Sequence, residues 1–271
     1  AMRASASARA AVIRPAAFCG IVGFKPTYDR IATAGLVYFS PTADHVGLFT
    51  QDVAGMRLAA SVLLAGWRAD LAALPRPVLA VPEGAFLAQA EPAALAAFEE
   101  QVARLVASGY TVKRIPIMSE IADLNLLHRR LVAAEFAQEQ RAIYPHYADR
   151  YRPRTRAIIE SGQTVGAEEL AAARAHCQQF RSLLHERMDE HGIDLWISPA
   201  ALGEAPPGIH ATGDPAMNLP WTHAGVPALT LPAGWSANRL PFGLQLAARF
   251  GADEELLSWS QPVATTVQAG S

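Results

Sequence analysis

Eight histidines and two cysteines are the first residues in this chain that suggest chemistry. A metal site needs ligands that a helix or turn brings together, such as two histidines one helical turn apart. His185 and His191 are separated by about one and a half helical turns, and His128 and His146 lie farther apart still. Neither His-x-x-x-His nor His-Glu-x-x-His occurs, so no metal is expected. Cys19 and Cys177 are too few for a disulfide framework or a four-ligand zinc centre, and they read as buried free thiols. A Ser-His-Asp hydrolase would show a Gly-x-Ser-x-Gly elbow, which is absent. Asp44 beside His45 reads as a structural turn. Residues 203–218, with the text ATGDPAMN, are rich in Gly and Pro and read as a pocket rim between strands. His223, close to Trp221, reads as a wall of that pocket rather than a catalytic group.

These candidates need a scaffold. The chain has 271 residues, of which 51% are hydrophobic and 18% charged, enough apolar side chain for a sizeable core. A net charge of -2 offers no general attraction to nucleic acid or to an anionic membrane. No apolar run approaches the roughly 18 residues of a membrane span. The N-terminal AMRASASARAA has no apolar core of a signal peptide, so a reducing, cytoplasmic setting is expected. Of 23 basic residues only Lys25 and Lys113 are lysine.

The pattern of elements is that of an α/β protein. Residues 16–27 read as a buried strand running into a Lys-Pro turn. Residues 52–65 place apolar side chains on one helical face, with Asp52 as N-cap. A strand at 76–84, a helix at 91–108 ending at Gly109, and a strand at 111–117 suggest a parallel crossover. Residues 119–190 read as helical, broken near Pro145, Pro153 and Gly162, with their charges on solvated faces. Strands at 193–199, 226–234 and 240–249 and a closing helix at ADEELLSW complete the pattern.

The text VIRPAAFCGIVGFKPT at residues 12–27 resembles the amidase signature family. The likeness continues through Gly35-Leu36, Asp44-His45-Val46-Gly47 and residues 50–53. It returns at Ser198-Pro199, Thr212-Gly213-Asp214-Pro215, Asn218, Trp221-Thr222, Gly225, Pro227, 231–234 and Gly243-Leu244-Gln245. These motifs are long and stand in family order across nearly the whole chain. The resemblance implies a mixed central β-sheet flanked by helices, with strands at 17–24, 78–82, 111–115, 194–198, 227–232 and 242–248 in one sheet. It also implies hydrolysis of C–N bonds in small amides, with carbamates or esters as near relatives, and no cofactor. The family's catalytic group is a Ser nucleophile, a bridging Ser in a cis peptide and a buried Lys. A serine hydroxyl is a poor nucleophile, so a neutral Lys takes its proton through the second Ser, and loop N–H groups receive the oxyanion.

This sequence departs from that pattern. Sliding the family motif onto VIRPA puts Ala11 at the nucleophile position, with Arg9 and Ala10 on the two preceding glycines. No Gly-Gly-Ser-Ser stretch occurs, and neither Lys25 nor Lys113 matches the catalytic lysine. Ser5 and Ser7 have no base in the matching positions. The expectation is therefore a hydrolase lineage that is incomplete or inactive as this isolated chain. The alternative is a non-catalytic module of the same fold that binds a ligand or completes a partner. Residues 1–11 are expected to form an unstructured stub before a domain at 12–271. A truncated sheet would leave an edge or apolar patch for a homodimer or for a missing N-terminal partner segment. By the same resemblance Arg14, three positions after the nucleophile position, either anchors a substrate carboxylate or closes an ion pair under the sheet. Thr212, Asp214, Asn218 and Trp221 are expected to contact an amide-like substrate.

Overall fold

The computed structural model describes residues 3–7 and 12–268, the former by their backbone alone. In chain order the strands are β1 (Arg3–Ser7), β2 (Val22–Lys25), β3 (His45–Thr50), β4 (Leu79–Glu83), β5 (Val112–Pro116), β6 (Leu195–Pro199), β7 (Ala228–Trp235) and β8 (Pro241–Ala247). The helices are α1 (Ile13–Cys19), α2 (Val53–Leu63), α3 (Pro92–Ala107), α4 (Ile121–Glu139), α5 (Tyr144–Tyr147), α6 (Pro153–Gln163), α7 (Ala167–His191), α8 (Leu219–His223) and α9 (Asp253–Gln268). All the described strands join one sheet in the order β1-β3-β2-β7-β8-β6-β4-β5. β4 runs parallel to β5 and to β6, and the remaining pairs are antiparallel. The sheet is thus mixed, and the β4-α3-β5 crossover is parallel as its spacing predicts.

Alternation along the strands divides the core into two layers. Leu79, Val81, Leu195, Ile197, Leu229, Leu231, Leu244 and Leu246 face one side, where α2, α3 and α9 contribute Met56, Phe98, Leu105 and Leu257. Ala80, Trp196, Ala228 and Ala247 face the other side and meet Ile13, Ala17, Phe180, Leu184 and Trp221 from α1, α7 and α8. The small residues on this second face let α1 approach the sheet closely. A Cβ added at Gly243 would come within 2.8 Å of the Ala17 methyl.

Caps follow the chemistry of their residues. Asp52 accepts a hydrogen bond from the Gly55 N–H at 2.7 Å and opens α2. Gly109, at φ 85°, follows α3 in the left-handed region that L residues avoid.

Three expectations change. Residues 16–27 are not one strand, because α1 occupies their first part and turns at left-handed Gly20 into β2. Apolar side chains on every side of this Ala-rich run carry no period that separates helix from strand. Cys19, the last residue of α1, is consequently exposed, whereas Cys177 is buried as expected. Residues 3–7 of the expected stub instead lie antiparallel to β3, whose outer backbone groups can template a neighbouring strand.

Candidate functional site

Helices α4 and α6, the loop before α8 and the buried end of α1 enclose a cavity of about 760 Å³. α4 supplies His128, Arg129 and Arg130, α6 supplies Arg154, Ile158 and Ser161, and the loop supplies Thr212, Gly213 and Asp214. Arg14 on α1 completes the wall. Gly213 has φ 76°, and a Cβ there would lie 3.2 Å from the Phe18 ring and 3.5 Å from Arg14 Cδ. The loop therefore crosses α1 so closely that only glycine fits without strain.

Arg14 is 6% exposed. Its Nη2 donates to Thr212 Oγ1 at 3.4 Å, while Nε and Nη1 are buried without a partner. Burial lowers its pKa, and the charge of Asp214 opposes that shift. Asp214 accepts from Arg129 Nη2 at 3.0 Å through both oxygens and from the Ala216 N–H at 2.9 Å. The structure brings Arg14, Thr212 and Asp214 together in one wall, although 198 residues separate the first two.

Asn218, Trp221 and His223 stand behind that wall. Asn218 Nδ2 donates to the Ala200 carbonyl at 3.0 Å and to Gln245 Oε1 at 2.8 Å. Gln245 Nε2 in turn donates to Ser198 Oγ and to the Met217 carbonyl, both at 2.9 Å. This network ties both ends of the loop to β8. Trp221 is buried in the second core layer, edge-on to Phe86 with ring centroids 5.8 Å apart. The buried His223 hydrogen-bonds through Nδ1 with His128 at 3.2 Å and through Nε2 with His176 at 2.9 Å. Burial and these neighbouring imidazoles push its pKa down to about 3, so it is neutral at physiological pH. His128, which sequence reasoning set aside, is the member of this chain of imidazoles that lines the cavity.

The cavity residues from α4 and α6 were missed because their charges fit solvated helical faces equally well. Their one signal was the density of Arg at residues 129–130 and 152–156. The tie between α4 and the loop after β2 was equally hidden. Buried Glu135 accepts from Ser40 Oγ at 2.6 Å, the Thr42 N–H at 2.9 Å, Arg174 Nε at 2.7 Å and the Thr42 hydroxyl. Burial alone would raise its pKa, but these donors together hold it below the ordinary value.

Other candidates are structural. Lys25 Nζ donates to the Val226 and Pro26 carbonyls, and burial lowers its pKa to about 7. Asp44 accepts from the N–H groups of Phe39 at 2.7 Å and Ser40 at 3.0 Å, closing a turn. Among the described residues no group of His, Cys, Asp and Glu is placed to hold a metal ion. No described helix is long and apolar enough to cross a membrane. Ala11, Arg9 and Ala10, the positions aligned with the nucleophile and its glycines, lie outside the described residues.

The amidase family profile matches residues 10–257. The chain is 29% identical over 90% of its length to a glutamyl-tRNA(Gln) amidotransferase subunit from Synechococcus sp. (strain RCC307), covering 59% of that protein. It is 26% identical over 96% of its length to indoleacetamide hydrolase of Allorhizobium ampelinum (strain ATCC BAA-846 / DSM 112012 / S4), covering 62%. The crystal structure of an amidase superposes with a TM-score of 0.87 at 24% identity, covering 96% of this chain and 61% of the other. The chain therefore spans about three fifths of the length of the relatives it matches.

Proposed function

Because the chain belongs to the amidase family, we propose that its cavity receives a small linear amide and that the chain as given binds this ligand without cleaving it. The observation that carries this reading is the closure of the Thr212–Asp214 loop over Arg14, which follows the nucleophile position by three residues. Indoleacetamide hydrolase, by its name, acts on such an amide, and carbamates or esters are near neighbours in chemistry. Thr212, Asp214 and Arg14 would contact the ligand, while Asn218, Trp221 and His223 would hold those contacts in place.

Loss of turnover follows from the residue types. Ala11 has no nucleophilic atom, and no lysine of this sequence matches the base. Where catalytic residues act as a unit, loss of the nucleophile alone removes several orders of magnitude, and loss of the others adds little. The purified chain should therefore hydrolyse p-nitroanilides and p-nitrophenyl esters no faster than buffer, and Ala11→Ser should restore nothing. Turnover well above buffer, with single-site labelling by a fluorophosphonate, would refute this. A second reading, in which the chain completes a partner, draws on its likeness to one component of an amidotransferase, of which it covers 59%. Co-purification at fixed stoichiometry with a protein whose removal abolishes amide binding would favour it.

A further inference from the structure

The three imidazoles join two cavities. His128 lines the larger one, and His176 lines a second of about 490 Å³ between α4 and α7. Buried His223 bridges them, its Nδ1 3.2 Å from His128 Nδ1 and its Nε2 2.9 Å from His176 Nδ1. A neutral imidazole has one N–H donor and one bare acceptor nitrogen. Burial keeps His223 neutral, so its two partners take opposite roles. When His176 donates from Nδ1, His223 carries its own hydrogen on Nδ1 and donates it to His128. When His176 accepts at Nδ1, both donations reverse. The two orders have the same charge, because a proton lost at one end of the chain is regained at the other. Whatever fixes the hydrogen on His176 therefore fixes the hydrogen on His128.

The second cavity shares Leu126 and Arg130 with the larger one. Leu124, Leu127, Phe180 and Leu183 give it apolar walls, and its volume suits one or two aromatic rings. The His176 ring lies within 8° of parallel to Phe180. With Nδ1 given to His223, its Nε2 remains for a ligand. Glu120 and Asp123 are exposed lining residues with no ion pair among the described residues, whereas Arg130 is held by Glu169. The solvent side of the cavity therefore favours a cation over an anion. We propose that this cavity binds a small aromatic amine, with its ammonium at Glu120 and Asp123, and that a ring N–H donated to His176 Nε2 sets the hydrogen order of His128. This second site stands apart from the amide reading of the larger cavity, and its test does not depend on that reading.

Tryptamine, indolepropionate and naphthylethylamine separate the two parts of the proposal. Each is titrated into the full chain at low ionic strength, followed by calorimetry and by nitrogen NMR spectra of the histidine rings. Tryptamine should bind at least about tenfold more tightly than the acid of the same ring. Glu120→Gln combined with Asp123→Asn should weaken tryptamine about fivefold, the scale of two exposed ion pairs. Tryptamine should move His176, His223 and His128 toward the order with hydrogen on His176 Nδ1. Naphthylethylamine, which has no ring N–H, should bind without that shift. His223→Phe should leave tryptamine bound and silence the response of His128. If that variant does not fold, the contrast between the two amines in the unmodified protein decides. Equal affinity for tryptamine and the acid, no binding of either, or an unchanged affinity in the double variant would overturn the amine site. A shift of the Thr212 N–H without one at the Phe180 N–H would put the ligand in the larger cavity and overturn it as well. Tryptamine bound with His128 unmoved, or His128 moving equally with both amines, would overturn the imidazole link.

Discussion

Replacing Glu135 by Gln should loosen the cavity from behind, and its cost can be worked from the contacts. The carboxylate is 1% exposed and accepts four hydrogen bonds, two to each oxygen. A glutamine keeps one acceptor oxygen and turns an NH₂ toward the donors of the other. Placed at Oε1, that NH₂ meets the Thr42 hydroxyl, which can rotate to accept, and Arg174, whose side chain is 45% exposed and can turn to water. The Oε2 bonds survive without their charge. Weakening charge-assisted bonds to neutral strength across this set costs about 3 kcal/mol, and Glu135→Ala, which strands Ser40 and Thr42, about 5 kcal/mol. For 271 residues the entropy of unfolding is about 0.6 kcal/mol per degree, so the Gln variant should melt about 5 °C lower. Calorimetry at pH 7 and at pH 3 measures both the loss and its origin. The folded Glu135 has a lowered pKa, so its contribution is present above the ordinary carboxylate value and is lost as pH falls through the folded value. The gap between the two proteins should therefore narrow in acid. A shift under about 1 °C at pH 7, or a gap that ignores pH, would refute the assignment of Glu135 as the tie between α4 and the loop.

Three further outcomes follow from particular contacts. Gly162→Ala would put a Cβ 1.9 Å from the Ala133 carbonyl oxygen, so α6 must move off α4; urea unfolding should show a loss of at least about 2 kcal/mol. The unfolded chain protonates His223 below about pH 6.5, whereas the folded chain holds its pKa down to about 3. Stability tied to His223 is thus full above pH 6.5 and falls by up to about 4 kcal/mol toward pH 3. His223→Gln should flatten that part of a pH series of unfolding curves. Asp52→Ala removes the acceptor for Gly55 N–H and should cost about 1 kcal/mol by thermal melting, with no change in ligand binding, because α2 packs away from the cavity.

Local chemistry made much of the fold legible. Asp52, Gly109 and the Pro and Gly breaks mark helix ends in the text, because capping depends on neighbours along the chain. Strand alternation and the helix between β4 and β5 fix a parallel crossover. The motif order identifies the family, and the same alignment sets Ala11 at the nucleophile position. Arg14, Thr212 and Asp214 could be named for the same reason. What the sequence could not show is which polar residues face inward. A charge at helical spacing has the same pattern whether its face meets water or a neighbouring helix, so the Arg density around Arg129 and Arg154 did not separate a cavity wall from a solvated face, and Glu135 gave no signal. Asn218, Trp221 and His223 stood in a motif beside the pocket, yet the short turn of α8 directs them into the core and the β8 network. The unbalanced charge on Arg14 belongs to the tertiary structure alone, since only packing decides which carboxylates come within reach of a buried guanidinium.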